Sequence, residues 1–81
     1  MEVMQVVGRQ TVNFTAQDGN QINGTKLFVL CAHPYVDGQK SDSIFVSDKL
    51  RPQLRYWPQI GDEIIVDFNR YGKVSNIDKC P

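Results

Sequence analysis

The sequence lacks an excess of either charge, a long apolar run and any abundance of histidine. Nine Lys and Arg balance nine Asp and Glu, whereas nucleic-acid-binding domains usually carry an excess of positive charge. No apolar stretch approaches the ~20 residues that a membrane helix needs. The segment from Met1 to Gln5 has neither the basic nor the apolar region of a signal peptide. These absences predict a cytoplasmic protein that has no membrane partner.

Residues for metal binding and catalysis are also scarce. Cys31, His33 and Cys80 have no fourth ligand nearby in the sequence, although a zinc site needs four ligands or three plus water. Without an export signal, both cysteines should be reduced thiols. The serines lack the spacing of a catalytic triad, and no glycine-rich phosphate loop occurs. We therefore expect no enzyme, no cofactor, no metal and no small-molecule substrate.

The chain is a series of short apolar runs separated by turn residues, which predicts a single domain over 1–81. The first run, 3–15, is rich in Val and Thr, and Gly8 interrupts it as a bulge or bend would. The second run, 25–35, is apolar at every position in its centre, so we expect it to be covered on both faces.

The remaining runs predict three further strands and a short helix. Residues 43–47 form the third strand, and apolar residues recur at helical spacing within 48–57, over one or two turns. Apolar and polar residues alternate before Asn69, and 73–78 form the last strand. Five short antiparallel strands cannot safely leave flat apolar edges exposed. We predict an all-β fold, a five-stranded antiparallel Greek-key barrel (OB-fold) with a short helix between strands three and four. An SH3-like barrel is the alternative.

The stretch "IGDEIIVDFNRYGKVSNI", residues 60–77, combines a Gly-Asp turn, an alternating strand, a polar hairpin and a final strand. It resembles the sequence pattern of strands four and five in many OB-folds. In length and order of elements the chain is similar to small single-stranded-DNA-binding proteins of the filamentous-phage gene V type and to plasmid or phage replication accessories. The resemblance implies coating of single strands during replication or transfer of a phage or mobile element. It also implies a homodimer or higher homo-oligomer.

The hairpin within 69–73 contains two cations and an aromatic ring, which a turn does not require. Single-strand binding uses cations that neutralise phosphates and flat rings on which bases stack. Arg70 and Lys73 supply cations, Tyr71 supplies a ring, and Gly72 allows a turn with positive φ. In the alternative interpretation, Tyr71 packs on the barrel rim and the cations only solubilise the tip.

An OB-fold binds its ligand over the second and third strands, beside this hairpin. Lys26 and Phe28 share one face of the second strand by the period of two. For Phe28, and for Phe45 in the third strand, three alternatives stay open: the side chain faces a ligand, the core or an oligomer interface. Tyr35 is a further stacking candidate, and Arg9 is a candidate phosphate contact. The predicted nucleic-acid-binding residues are Arg70, Tyr71, Lys73, Lys26, Phe28, Arg9, Tyr35 and Phe45.

These residues predict sequence-tolerant binding of single-stranded DNA, with RNA as a variant. The alternative is a protein-interaction β-barrel, an adaptor or structural subunit of a phage or mobile-element assembly, which the neutral charge favours. A continuous positive groove joining Arg9, Lys26, Arg70 and Lys73 would indicate DNA, and an aromatic patch without cations would indicate protein. A second basic and aromatic cluster follows the third strand, where Trp57 is expected to seal the barrel bottom.

Overall fold

The fold, in a computed structural model that describes residues 2–81, is one antiparallel five-stranded sheet with a single turn of 3-10 helix. The order across the sheet is β3-β2-β1-β4-β5. The all-β class and the five antiparallel strands are confirmed. The elements are β1 (Glu2–Thr15), β2 (Gln21–Cys31), β3 (Lys40–Ser47), the 3-10 helix (Arg51–Gln53), β4 (Glu63–Phe68) and β5 (Val74–Lys79).

The two edge strands, β3 and β5, approach each other without pairing. Some of their Cα atoms come within 8 Å, yet within residues 2–81 no ladder joins them. The chain after the 3-10 helix takes up part of the β5 edge instead. The Tyr56 N–H donates to the Ile77 carbonyl at 3.1 Å, and the Arg55 N–H donates to Asn76 Oδ1 at 3.1 Å. The sheet is therefore not closed, and the predicted barrel and OB-fold are not confirmed.

The helix between β3 and β4 is a single 3-10 turn, the shorter of the two lengths predicted. Pro52 lies in its first turn, where a missing N–H costs little. Leu54 has extended backbone angles, φ −73° and ψ 141°, so the helix ends after Gln53. Leu54 and Trp57 are partly buried against the core, which agrees with the expected sealing role of Trp57.

The core lies on one face of the sheet, and aliphatic side chains from all five strands fill it. The expectation that β2 is covered on both faces is wrong, because Leu27 and Val29 are buried while Phe28 is 38% exposed. No second layer packs on the other face of β2 within the part of the chain that the structure describes. The core side chains are Met4, Val6, Leu27, Val29, Ile44, Val46, Ile64, Val66, Val74 and Ile77.

β1 and β2 extend beyond the rest of the sheet as a two-stranded ribbon. β1 pairs with β4 only over its first residues, up to Gln5, and β2 pairs with β3 only from Gly24 onward. The ladder between β1 and β2 continues to Thr15 and Gln21. In the strand parts of 12–23, each residue therefore pairs with one neighbouring strand only.

Within 2–81 no helix has the length and apolarity to cross a membrane.

The segment before β4 is held by the carboxylate of Asp62. This carboxylate accepts hydrogen bonds from the Tyr56 hydroxyl and from the Gln59 N–H, the latter at 2.9 Å. The Tyr56 hydroxyl and then the Gln59 N–H lower the pKa of Asp62 below its usual value of 3.8. The same hydrogen bond, together with burial, raises the pKa of Tyr56 above 10.0.

The hydrogen-bonded pair Tyr56–Asp62 predicts that stability decreases at low pH and at high pH. Because the pKa of Asp62 is lower in the folded chain, its contribution is complete above about pH 4 and is lost as pH falls through the folded pKa. Because the pKa of Tyr56 is higher in the folded chain, its contribution is present below about pH 10 and is lost as pH rises through the folded pKa.

We expect Asp62→Asn to destabilise the chain at about pH 6 and to differ from wild type progressively less as pH falls, because protonation of Asp62 removes its advantage over Asn. Urea midpoints measured from about pH 2 to pH 7 check this, with Asp37→Asn in an exposed loop as the charge-matched control. A constant difference between wild type and Asp62→Asn across that range would contradict it.

Candidate nucleic-acid interface

Three exposed phenyl rings lie on the sheet face that points away from the core, which we call the outer face. Phe14, Phe28 and Phe45 are 50%, 38% and 41% exposed. Lys26 is paired with Phe45 on β3 and with Gln10 on β1, and paired residues of adjacent strands point to the same side. The ammonium of Lys26 lies 5.7 Å from the centroid of the Phe28 ring. The structure therefore brings Lys26, Phe28 and Phe45 together.

Two of these rings lie against glycines of the neighbouring strand. A Cβ on Gly8 would be 3.2 Å from Cδ2 of Phe28. A Cβ on Gly24 would be 2.7 Å from Cε2 of Phe45 and 2.5 Å from the carbonyl oxygen of Val46. Each glycine gives a phenyl ring room to lie across the backbone. The ring is supported on one side and open on the other, as base stacking requires.

A groove of about 810 Å³ runs between the unpaired edges β3 and β5 and connects the outer face to the β4–β5 hairpin. Phe45 and Ser43 line it from β3, while Gly72 and Lys73 line it from the hairpin. Phe45 also lines a neighbouring groove with Lys26. Phe45 therefore lines one groove with Lys26 and another with Lys73, two cations that are distant in the sequence.

The hairpin itself is built by Asn69 and Gly72. The side-chain oxygen of Asn69 accepts hydrogen bonds from the N–H of Tyr71 at 2.9 Å and from the N–H of Lys73 at 3.1 Å. Gly72 has a φ of +76°. Tyr71 is 71% exposed, with the Arg70 guanidinium carbon 5.1 Å from its ring centroid. The alternative that Tyr71 packs on the rim is wrong. Arg70 and Tyr71 are not needed to form the turn and are available to a ligand.

Arg9 lies on the opposite side of the sheet from Lys26, Phe28 and Phe45. A bulge between Val6 and Gly8 adds one residue to β1, so Gly8 pairs with Phe28 and Arg9 pairs with the buried Leu27. The guanidinium of Arg9 donates to the carbonyl of Pro58 at 3.2 Å. The continuous positive groove through Arg9, which would have indicated DNA, is therefore not formed.

Tyr35 is separate from the outer-face grooves. It is 91% exposed in the loop after β2, where its N–H donates to Nδ1 of His33 at 3.2 Å. The two rings are 5.7 Å apart and tilted. Tyr35 could reach a ligand only beyond the end of the sheet.

Carboxylates weaken the positive potential of the hairpin groove. Glu2 and Asp42 line it together with Lys73. Asp42 is 3.9 Å from the ammonium of Lys40, which offsets part of its charge. In residues 2–81 no group of three or more His, Cys, Asp or Glu side chains is arranged to hold a metal ion. This surface therefore combines exposed aromatic rings with a few cations.

Sequence reasoning missed Phe14 and the two supporting glycines. Asn23-Gly24 is a dipeptide typical of turns, but Gly24 is paired in β2 with Ser47. An Asn-Gly pair directly before an apolar run is ambiguous between a turn and a strand. Phe14 was assigned to a strand, but only the register shows that it shares the face of Lys26.

Comparison with known proteins finds no matching family model, no similar curated protein and no similar solved structure. The resemblance to gene V type proteins therefore remains a prediction.

We expect Gly24→Ala to destabilise the chain by about 1–3 kcal/mol, the usual cost of overpacking. The new methyl group would meet the Val46 carbonyl, which is backbone and cannot turn aside. Gly8→Ala should cost less, because its neighbour is the side chain of Phe28. Urea unfolding measures both changes. Equal stabilities of Gly24→Ala and wild type would contradict the ring-on-glycine arrangement.

We expect Asn69→Ala to speed amide exchange at Tyr71 and Lys73 about two- to tenfold, since each lost hydrogen bond contributes about 0.5–1.5 kcal/mol. Asn69→Asp keeps the acceptor oxygen and is the matched control. Hydrogen exchange followed by NMR gives both rates. Unchanged exchange in Asn69→Ala would show that the side chain does not order the hairpin.

Proposed function

We propose that this protein binds single-stranded DNA on its outer face and along the hairpin groove, with single-stranded RNA as a variant of the same ligand class. The observation that supports the proposal best is the position of Phe45. Its ring lies on Gly24, beside Lys26, and lines one groove with Lys73. Stacking and phosphate neutralisation, the two requirements of single-strand binding, are thus met within one surface.

The proposed mechanism is passive. Bases stack on Phe45, Phe28 and Tyr71, and each stacked base contributes about 1–3 kcal/mol without regard to its identity. Lys26 and Lys73 neutralise phosphates. The proposal includes no bond-breaking step.

The charge of the surface predicts a weak salt dependence. With about three phosphates neutralised, by Lys26, Arg70 and Lys73, log K should fall with log salt at a slope of roughly −2. The zero net charge contributes no long-range attraction. Stacking, which is less sensitive to salt, would then supply most of the affinity.

The finer fold assignment belongs to the same proposal. An OB-fold is itself a partly open Greek-key barrel that binds oligonucleotides over strands two and three. The short helix between β3 and β4 and the close approach of β3 and β5 support this fold. With the resemblance noted above, we propose that the protein coats single strands in the cytoplasm, as a homo-oligomer, during replication or transfer of a phage or mobile element.

A protein-interaction β-barrel is the second candidate. The outer face carries one cation among three exposed phenyl rings, and Val7 adds a further exposed apolar side chain. An apolar surface of this kind favours contact with a polypeptide. In that case the protein would be an adaptor or structural subunit, and Phe45 would contact protein rather than bases.

We expect labelled oligo-dT of about 16 nucleotides to bind at low salt, with Phe45→Ala weakening binding roughly 5- to 100-fold. Lys73→Gln should weaken binding and reduce the magnitude of the slope of log K against log salt by about 0.7. Fluorescence anisotropy at several salt concentrations measures both effects.

Ile60→Ala is the control, since Ile60 is an exposed apolar residue outside the outer-face grooves. Thermal unfolding verifies that Phe45→Ala is folded, and Lys73→Gln tests the hairpin without touching the sheet. The proposal fails if oligo-dT does not bind at low salt, or if Phe45→Ala and Ile60→Ala bind alike.

A further inference from the structure

A second groove, on the side of the sheet opposite the outer face, has a different composition. We call it the arginine groove, and its volume is about 410 Å³. No carboxylate lines it. Its lining residues come from β1, β2, the 3-10 helix and the segment before β4. They are Arg9, Thr11, Thr25, Arg51, Trp57 and Gln59.

The two guanidinium groups are positioned by uncharged partners. The guanidinium carbon of Arg51 lies 4.0 Å from the centroid of the Trp57 ring, a distance typical of cation–π stacking. Arg9 uses one nitrogen to donate to the Pro58 carbonyl. Within residues 2–81 the ion pairs are Lys40–Asp42 and Arg55–Asp78, so neither arginine of the groove is paired with an acid.

This arrangement suits a phosphate group. A guanidinium has five N–H donors in a planar fork that matches phosphate oxygens, and neither anchoring contact uses more than a small part of that fork. The threonine hydroxyls and the Gln59 amide add uncharged donors. Two unpaired guanidiniums in one groove without a carboxylate leave a positive site inside a chain of zero net charge.

We propose that the arginine groove is a phosphate-binding site. The phosphate comes either from the backbone of a nucleic-acid strand or from a free nucleotide or inorganic phosphate. A strand has access, because Arg9 and Arg51 are both exposed. The site does not depend on the phenyl rings of the outer face, so it stands or fails separately from the proposed function.

Trp57 is the only tryptophan in the chain, and it reports directly on the site, because Arg51 lies on its ring. We expect inorganic phosphate, pyrophosphate and thymidine 5′-monophosphate to change Trp57 fluorescence saturably at constant ionic strength. Thymidine, which lacks the phosphate, should have no effect. Oligo-dT added to Phe45→Ala tests strand phosphates after the main stacking ring is removed.

Arg9→Gln should weaken phosphate binding roughly tenfold or more, the loss expected for a charge-assisted hydrogen bond. Arg51→Gln should do the same, and it is followed by the amide shifts of Thr11 and Gln59, because the variant itself alters the tryptophan signal. Lys49→Gln removes the same charge outside the groove and serves as the control.

The outcomes are distinct. Phosphate binding that weakens in both arginine variants but not in Lys49→Gln supports the site. If Arg9→Gln also weakens oligo-dT, the source is the strand, and if it does not, the source is a free phosphate or nucleotide. Absence of a saturable response to every phosphate compound and to oligo-dT, or an equal response in all variants, overturns the proposal. Phosphate binding without any oligo-dT binding would overturn the proposed function alone.

Discussion

Burial on a single face of one sheet is the constraint on which the other features depend. Aliphatic side chains from all five strands pack on the inner face, and none of residues 2–81 forms a second layer over the outer face of β2. A chain of this length has a thin core, so the few central inner positions are apolar. The alternation of side chains along each strand then decides which residues remain outside. The exposed rings of Phe28 and Phe45 follow from the burial of Leu27 and Ile44 next to them.

The bulge in β1 divides the surface into two chemically different sides. In a regular strand without this bulge, Arg9 would pair with Lys26 and point to the same side. With it, Gly8 lies under the ring of Phe28, and Arg9 turns toward Arg51 and the uncharged groups of the arginine groove. Rings with few cations occupy one side, and guanidiniums without acids occupy the other. A net charge of zero therefore conceals two local environments of different chemistry.

The unpaired edges of β3 and β5 also decide which residues share a surface. A closed sheet would have joined these strands by backbone hydrogen bonds and left no groove between them. The segment at Arg55 and Tyr56 bonds to β5 instead, and the space beside β3 opens toward Lys73 and Gly72. Partial closure thus positions the hairpin next to Phe45, although the hairpin residues are more than twenty positions later in the chain.

The sequence by itself determined the class of fold, the number of strands and the chemistry of the last hairpin. Alternation in β4, the turn residues Asn69 and Gly72, and the break at Gly8 are local signals, and local signals depend on nearest neighbours along the chain. Only the tertiary structure decided the register, the closure of the sheet and the side on which Arg9 lies. Register depends on partners distant in sequence, and a shift of one residue reverses every side chain that follows. For that reason Phe28, Phe45 and Lys73 were foreseen as single candidates, whereas the position of Phe45 against Gly24 and in grooves with Lys26 and Lys73, and the position of Arg9 and Arg51 in one groove, required the folded sheet.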